Sequence, residues 1–373
     1  WHFLAGFAQA KMAKGALAVA LALLAVGLWG NANVQIGDLD KGAPELRADS
    51  RYNLDNAYVT DNYSTSTDVF VVMVETEMDG CIKYNTLAAV DLFQWTIEQV
   101  PGVQSSISLA DRSKFVISAY SEGDLKWNAL NRNQFVLNGT ISGMNLSDGL
   151  FSSDCSFMPI IVFLEDHKAD TLKRVVAAAE DFIAKNDTGD AVFKLAAGNA
   201  GIEAATNEVV ERAQTEMLIW VYGVVAILVW LAFRSVRTVI CIIAPLALTS
   251  LLCSALMVAL GIGVKVATLP VIALGVGIGV DYGIYIYGKL EEYLKQGMPF
   301  ADAYFETLKS TGKAVVFTGL TLGIGVATWA FSPIKFQADM GLLLTFMFLW
   351  NMVGAVVFLP ALAYFLDRRG EKV

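Results

Sequence analysis

Histidine and cysteine are scarce in this chain, which holds 2 His and 4 Cys among 373 residues. They do not follow the paired spacings of structural zinc sites, so the sequence predicts no metal site. It also lacks a convincing nucleophile–base set and a phosphate-binding glycine loop, because its glycine-rich run lies inside an apolar stretch. These absences argue against an enzyme and predict a protein that needs no cofactor.

Charged residues are also few, at 17% of the chain, whereas 55% of the residues are hydrophobic and the mean hydropathy is +0.51. Such a chain is too apolar for an ordinary soluble domain. Six apolar stretches are of the order of length that crosses a bilayer: residues 16–30, 217–233, 238–262, 268–288, 314–331 and 340–366. The sequence therefore predicts an integral membrane protein with six spans.

The charge that is present is unevenly distributed. Residues 31–215 carry 14 Lys and Arg against 27 Asp and Glu, a net of −13, whereas the remainder carries 13 against 9, a net of +4. This asymmetry predicts an acidic soluble domain inserted into a membrane part with basic flanks, and it argues against nucleic acid as a partner.

Basic residues accumulate on the cytoplasmic side of membrane proteins, and this preference sets the predicted orientation. With a cytoplasmic N-terminus, the short outer loops hold only Lys265 and Lys335. The inner segments then hold eleven basic residues: Lys11, Lys14, Arg234, Arg237, Lys289, Lys295, Lys309, Lys313, Arg368, Arg369 and Lys372. Both termini are predicted to be cytoplasmic, with the acidic domain outside.

The predicted organisation has five parts. They are an interfacial helix with the first span (1–30), an extracytoplasmic α/β domain (31–215), the second to fourth spans (216–288), a cytoplasmic amphipathic helix (289–313), and the fifth and sixth spans with a cytoplasmic tail (314–373). The fold class is thus an α-helical bundle of six transmembrane helices with a large α/β domain between the first and second.

Within the outer domain, β-branched and aromatic runs predict strands at 67–75, 157–164 and 191–195, and helical spacing predicts helices at 85–100 and 169–185. Two strand–helix–strand units with helices on one face are expected, separated by loops and short helices at 111–154. His167, at a strand-to-helix corner, is expected at the surface.

The domain also contains two cysteines, Cys81 and Cys155. In an oxidising compartment they form a disulfide, and otherwise they are two buried thiols.

Asp281, near the middle of the fourth apolar stretch, is the only Asp, Glu, Lys or Arg in that stretch. An acid at that depth is costly unless it faces a protein interior, a partner or a water-filled path. It is either a proton-carrying carboxylate or a structural acid, permanently protonated and hydrogen-bonded to Tyr282 or Tyr285.

Small residues surround this acid. Gly275, Gly279 and Gly283 stand four apart and predict a helix face that another helix can approach closely. In the fifth span, Thr318 and Thr321 share one face. Their hydroxyls either relay protons to the acid or bond back to their own helix.

At the string GVGIGVDYGIYIYGK, residues 275–289, the sequence resembles the resistance–nodulation–division (RND) superfamily, in the branch of MMPL-like exporters. The resemblance covers nearly the whole chain and implies one six-span half of a transporter whose full-length members have twelve spans. It implies Asp281 as proton carrier, Tyr282 as its hydrogen-bonding partner, and a second half or a second copy to pair with. Tyr285, Thr318 and Thr321 are weaker relay candidates.

The resemblance further implies a bacterial inner-membrane protein whose outer domain is periplasmic. It is expected to use the proton gradient to export a hydrophobic or lipid-like substrate, among membrane lipids and with a periplasmic adaptor or lipoprotein as a further partner. Drug-efflux relatives use two acids and an intramembrane Lys. Here there is one acid and no such Lys, which favours the lipid-exporter branch.

Two other functions fit the layout. One is a lipid- or sterol-sensing membrane domain, which resembles the five consecutive spans and binds lipid without pumping it. The other is a proton-driven accessory of protein secretion, which has a similar six-span half.

Overall fold

The computed structural model describes residues 1–142, 144–186 and 189–367. Among these residues, six helices are long and apolar enough to cross a membrane. We call them the first to sixth spans: Ala10–Asn33, Gly198–Phe233, Val236–Leu260, Leu269–Lys295, Phe300–Phe331 and Lys335–Leu366. The predicted number of spans is confirmed, whereas the tail at 368–373 lies outside the described residues.

The chain separates into two compact units. The membrane unit comprises Trp1–Leu39, Glu45–Arg47 and Val210–Val373, and the sheet unit comprises Asp40–Pro44 and Ala48–Val209. In the membrane unit a short helix, His2–Ala5, and a 3₁₀ turn, Gly6–Ala8, precede the first span.

The third span lies at the centre of the membrane unit, because 61% of its most apolar stretch is buried there, against 6% for the second span and 17% for the first and the fifth. Glycines allow the first span to approach it closely. A methyl group added at Gly27 would meet Leu251, and one at Gly30 would meet Ala255. The second and fifth spans are therefore peripheral.

In the described part of the chain, the fifth and sixth spans each contain a π-helical turn. The fifth runs as Phe300–Thr307, a π turn at Leu308–Gly312, Lys313–Ala327 and a 3₁₀ turn at Thr328–Phe331. The sixth runs as Lys335–Val353, a π turn at Gly354–Phe358, and Leu359–Asp367.

The predicted amphipathic helix at 289–313 is not a separate element. Its first residues belong to the fourth span, and Phe300–Thr307 leads directly into the fifth. Tyr304 is fully buried, and its hydroxyl donates a 2.5 Å hydrogen bond to the carbonyl of Val356 in the π turn of the sixth span. The apolar side of this segment therefore packs into the bundle.

The sheet unit is built on four antiparallel-paired strands in the order β2-β3-β1-β4. The strands are β1 (Val69–Thr76), β2 (Val103–Ile107), β3 (Phe157–Leu164) and β4 (Ala191–Ala197). The helices are α1 (Arg51–Asn62), α2 (Tyr84–Ile97), α3 (Leu109–Tyr120), α4 (Gln134–Ile141) and α5 (Ala169–Lys185), with 3₁₀ turns at Gly80–Ile82, Leu125–Trp127 and Leu146–Asp148.

The core of this unit follows from the alternation of side chains along β1, where Phe70, Val72 and Val74 are fully buried. Phe93 of α2 and Phe182 of α5 pack edge to face, with ring centroids 5.1 Å apart. Both helices thus help to form one core, and the two β-α-β units share one sheet, as in a split β-α-β arrangement.

The loops and short helices predicted for 111–154 are confirmed, since this segment contains most of α3 and all of α4. Two other features of the sheet unit differ from the sequence prediction. The sequence did not predict β2, whose segment VQSSI is polar and only half-buried at the sheet edge. The prediction for His167 was wrong: it is 4% exposed, and its Nδ1 lies 2.8 Å from a carboxylate oxygen of Asp68.

Candidate functional site

Asp281 lies at the middle of the fourth span. It is the thirteenth of 27 helical residues, about 18 Å along the axis from Leu269 at 1.5 Å per residue. Its side chain is exposed on the surface of the membrane unit and makes no hydrogen bond or ion pair with any described residue. An exposed carboxylate at that depth of a bilayer costs several kcal/mol unless water or another group covers it.

Asp281 belongs to a continuous exposed stripe on this helix. Leu274, Gly277 and Tyr285 lie on the same side, and Tyr285 is 61% exposed. A methyl group added at Gly277 would meet nothing within 4 Å. We call Leu274, Gly277, Asp281 and Tyr285 the acid face.

The opposite side of the helix carries the predicted glycines, and it packs inward. A methyl group at Gly275 would meet Met347 of the sixth span, and one at Gly279 would meet Asn351 of the same span. A methyl group at Gly283 would lie 2.9 Å from Ile242 of the third span. This glycine face holds the fourth span against its own bundle and turns Asp281 outward.

Asn351 was not singled out from the sequence, although a polar amide inside an apolar span is a signal in itself. It is 2% exposed, and its Nδ2 donates a 2.7 Å hydrogen bond to the carbonyl of Gly275. Its Oδ1 is buried and has no hydrogen-bond partner among the described residues. The Nδ2 of this amide therefore links the sixth span to the fourth, while its Oδ1 is an unsatisfied hydrogen-bond acceptor within the described residues.

The structure does not bring Tyr282 to Asp281 as a hydrogen-bonding partner. The Tyr282 side chain is 3% exposed and packs in the apolar cluster that includes Ile242 and Leu246. Within the described residues its buried hydroxyl has no hydrogen-bond partner. The tyrosine on the acid face is instead Tyr285, one turn beyond the acid.

The fifth-span threonines are also exposed on the membrane unit. The Thr321 hydroxyl donates a 2.7 Å hydrogen bond to the carbonyl of Phe317, in its own helix. Neither Thr318 nor Thr321 makes a hydrogen bond to Asp281 in the described part of the chain. In this arrangement the hydroxyl of Thr321 bonds back to its own helix.

In the sheet unit, Cys81 and Cys155 are joined in a disulfide with Cα atoms 5.2 Å apart. Next to it, the Cys81 N–H donates a 3.0 Å hydrogen bond to the Cys155 carbonyl. The crosslink joins the segment after β1 to the segment before β3, so it closes the base of the insertion that carries α2, β2, α3 and α4.

Comparison with known proteins points to membrane transporters. A membrane protein of Methanocaldococcus jannaschii is 26% identical over 59% of this chain and 57% of its own length. The transport protein MmpL8 of Mycobacterium bovis is 22% identical over 53% of this chain and 18% of its length. The sulfolipid-1 exporter MmpL8 of Mycobacterium tuberculosis is 30% identical over 26% of this chain and 9% of its length.

The chain thus spans 9 to 57% of the length of these relatives. The model of the MMPL family matches residues 60–372, which include most of the sheet unit and the second to sixth spans. The string around Asp281 lies inside that match. The protein belongs to the MMPL family.

Proposed function

We propose that this protein exports a hydrophobic or lipid-like substrate across or out of the bacterial inner membrane, driven by the proton gradient, with Asp281 as the proton carrier. The observation that carries the proposal is the position of this acid at mid-span, on the exposed face of a helix whose other face is fixed by close packing. Family membership and relatives named as transport and exporter proteins support the coarse function.

The free energy for the cycle comes from the proton gradient, and the charge of the acid couples it to helix packing. Deprotonated Asp281 requires water or a partner, whereas protonated Asp281 is tolerated in an apolar contact. The two protonation states therefore favour different packings of the acid face, and proton flow down the gradient alternates between them. In this proposal the alternation drives the periplasmic domain, which passes the substrate on.

The proposed orientation places both termini in the cytoplasm. The two basic residues of the outer loops are already engaged in ion pairs: Lys265 Nζ lies 2.5 Å from Asp38, and Lys335 Nζ lies 2.7 Å from Asp339. A disulfide in the sheet unit is in keeping with an oxidising periplasm.

Proton flux in proteoliposomes tests the proposal. The protein and its Asp281→Asn variant are incorporated at matched density, and a pH-sensitive dye in the lumen reports flux after an imposed gradient. Asp302→Asn is the control, because it removes an exposed carboxylate at the start of the fifth span. We expect a loss of at least tenfold for Asp281→Asn and none for Asp302→Asn. Equal flux in all three proteins would make Asp281 a structural acid and favour a lipid-sensing domain.

The acid face also predicts a partner. We propose that a second six-span half or a second copy covers it, since a helix stripe with a bare glycine and a carboxylate suits a close helix contact. Gly277→Cys is expected to crosslink between copies in membranes, whereas Val19→Cys, 55% exposed on the first span, is not. Both native cysteines of the membrane unit, Cys241 and Cys253, are buried. Equal crosslinking at both positions would contradict a specific contact.

A further inference from the structure

A groove of about 290 Å³ opens on the membrane unit between the first, third and sixth spans. Pro245 and Leu248 of the third span and Phe358 of the sixth are buried at its floor. Ala20 and Leu24 of the first span line its side. Leu21, which is 67% exposed, stands at its rim. The groove is therefore accessible from the side of the bundle.

The groove follows from small residues and from the π turn. Ala20 and Ala244 leave space that a larger side chain would fill. Gly354, the first residue of the π turn in the sixth span, lies against Pro245, and Phe358 is the last residue of that turn. A π turn rotates the side chains that follow it relative to a regular α-helix, and such turns are frequent at functional sites.

The groove lies at the depth of the hydrocarbon core. Ala20 to Leu24 are central in a first span that runs from Ala10 to Asn33, and Pro245 is the tenth of 25 residues in the third span. Every residue that lines the groove is apolar. At that depth the surrounding solvent is lipid hydrocarbon, so the groove offers no partner to a headgroup or to a sterol hydroxyl.

We infer that this groove binds one alkyl chain of a membrane lipid. At about 30 Å³ for a water-sized group, 290 Å³ holds roughly ten such groups, and a methylene is of similar size. A helix about 10–12 Å in diameter is too wide to enter this volume. The proposed transport function does not carry this inference, which rests on the apolar lining and on the placement of the spans in a bilayer.

The groove also borders the part of the third span that packs against the fourth span, which carries Asp281. Leu246 follows Pro245 directly and contacts the bare backbone of Gly279, two residues before Asp281. A chain in the groove therefore contacts the same turn of the third span that supports the fourth. The lipid chain and Asp281 then lie on opposite sides of the contact between the third and fourth spans.

Photolabelling tests the site. The full chain is reconstituted in phosphatidylcholine vesicles doped with a phosphatidylcholine that carries a diazirine midway along one acyl chain, and labelled peptides are mapped by mass spectrometry. We expect the label to concentrate at least fivefold on groove residues of the first, third and sixth spans, relative to other exposed span residues. Even labelling of all exposed spans would overturn the inference.

Matched variants separate the groove from the general lipid surface. Ala20→Trp fills the groove and is expected to reduce groove labelling at least fivefold. Ala244→Trp, at the groove lining, is expected to have the same effect. Ala22→Trp, on an exposed side of the same first span, is expected to leave it unchanged. Equal effects at positions 20 and 22 would contradict the site, as would efficient crosslinking of Leu21→Cys between copies. If a variant does not fold, the labelling pattern of the native protein is the result that decides the test. Groove labelling that persists in the Asp281→Asn variant shows that lipid binding does not depend on the proposed proton carrier.

Discussion

The side-chain amide of Asn351 donates a 2.7 Å hydrogen bond to the carbonyl oxygen of Gly275, and this buried bond joins the sixth span to the fourth. The Gly275 carbonyl is also in position to accept the regular helical bond from residue 279. The amide oxygen of Asn351 has no partner among the described residues. A group that leaves a buried acceptor unsatisfied contributes little to stability, which makes a functional role the better explanation.

Replacing this amide tests that explanation. Asn351→Leu keeps a similar volume, and we expect the free energy of unfolding to change by no more than about 1 kcal/mol, because a hydrogen bond and an unsatisfied oxygen are removed together. Proton flux in proteoliposomes is expected to fall at least threefold. Thr345→Val is the control: its hydroxyl donates to the Gly341 carbonyl of the same span and to the Gly323 carbonyl of the fifth, and neither bond reaches the fourth span. Unchanged flux together with a large loss of stability would make Asn351 a purely structural residue.

The two faces of the fourth span predict opposite effects of the same substitution. Gly279→Leu inserts a side chain where Asn351 and Leu246 already lie, and overpacking of this kind costs about 1–3 kcal/mol. Gly277→Leu inserts it into open space on the acid face and is expected to stay within about 0.5 kcal/mol. Thermal unfolding of the two purified variants in one detergent measures the difference.

These variants also separate folding from assembly. If a second half covers the acid face, Gly277→Leu should fold normally yet lose proton flux. Equal stability losses at positions 277 and 279 would show that the inward direction of the glycine face is incorrect.

The periodicity of the fourth span could be predicted from the sequence, but its orientation could not. Four-residue spacing identifies Gly275, Gly279 and Gly283 as a face for close approach. It does not indicate which helices approach, because Ile242 comes from the third span and Asn351 from the sixth. The resemblance to a family gave Tyr282 as the partner of the acid, yet rotation about the helix places that side chain in the core of the same bundle.

Other elements were missed for local reasons. β2 is a polar edge strand whose pairing with β3 is long-range, so its sequence gives no alternating apolar signal. The π turns at Leu308–Gly312 and Gly354–Phe358 were not predicted, because hydrophobic periodicity does not distinguish a single π turn from an α-helical one. His167 is buried because Asp68, far along the chain, supplies its hydrogen bond.

A partly buried charge cluster predicts a pH dependence in the sheet unit. Lys114 Nζ lies 2.5 Å from Asp91 and 3.2 Å from Asp111. Burial alone would lower the pKa of Lys114, but the hydrogen bonds and charges of the two carboxylates outweigh it and raise the pKa above 10.5. A raised pKa stabilises the folded state below pH 10.5, and the contribution is lost as the pH rises through the folded-state value.

Lys114→Met should therefore lower the stability of the sheet unit by about 1 kcal/mol between pH 7 and 9, and the difference should shrink above pH 10.5. Lys185→Met is the control, because its pair with Asp181 is 69% and 62% exposed and should contribute almost nothing. Thermal unfolding as a function of pH measures both. Equal effects would show that the cluster is screened like a surface pair.

The disulfide predicts both the stability of the sheet unit and the compartment in which this unit lies. Cys81 and Cys155 are separated by 74 residues, and a crosslink over a loop of that length contributes about 4 kcal/mol in the chain-entropy account. Replacing both cysteines by serine should therefore lower the melting temperature of the sheet unit markedly. Cys241→Ser, at a buried cysteine of the membrane unit that is outside the disulfide, is the control for loss of a cysteine. After denaturation without reductant, a thiol-reactive polymer should modify two cysteines of the natively expressed protein, and four after reduction. Modification of all four without reductant would contradict the periplasmic placement of the sheet unit, because an accessible pair this close is oxidised in that compartment.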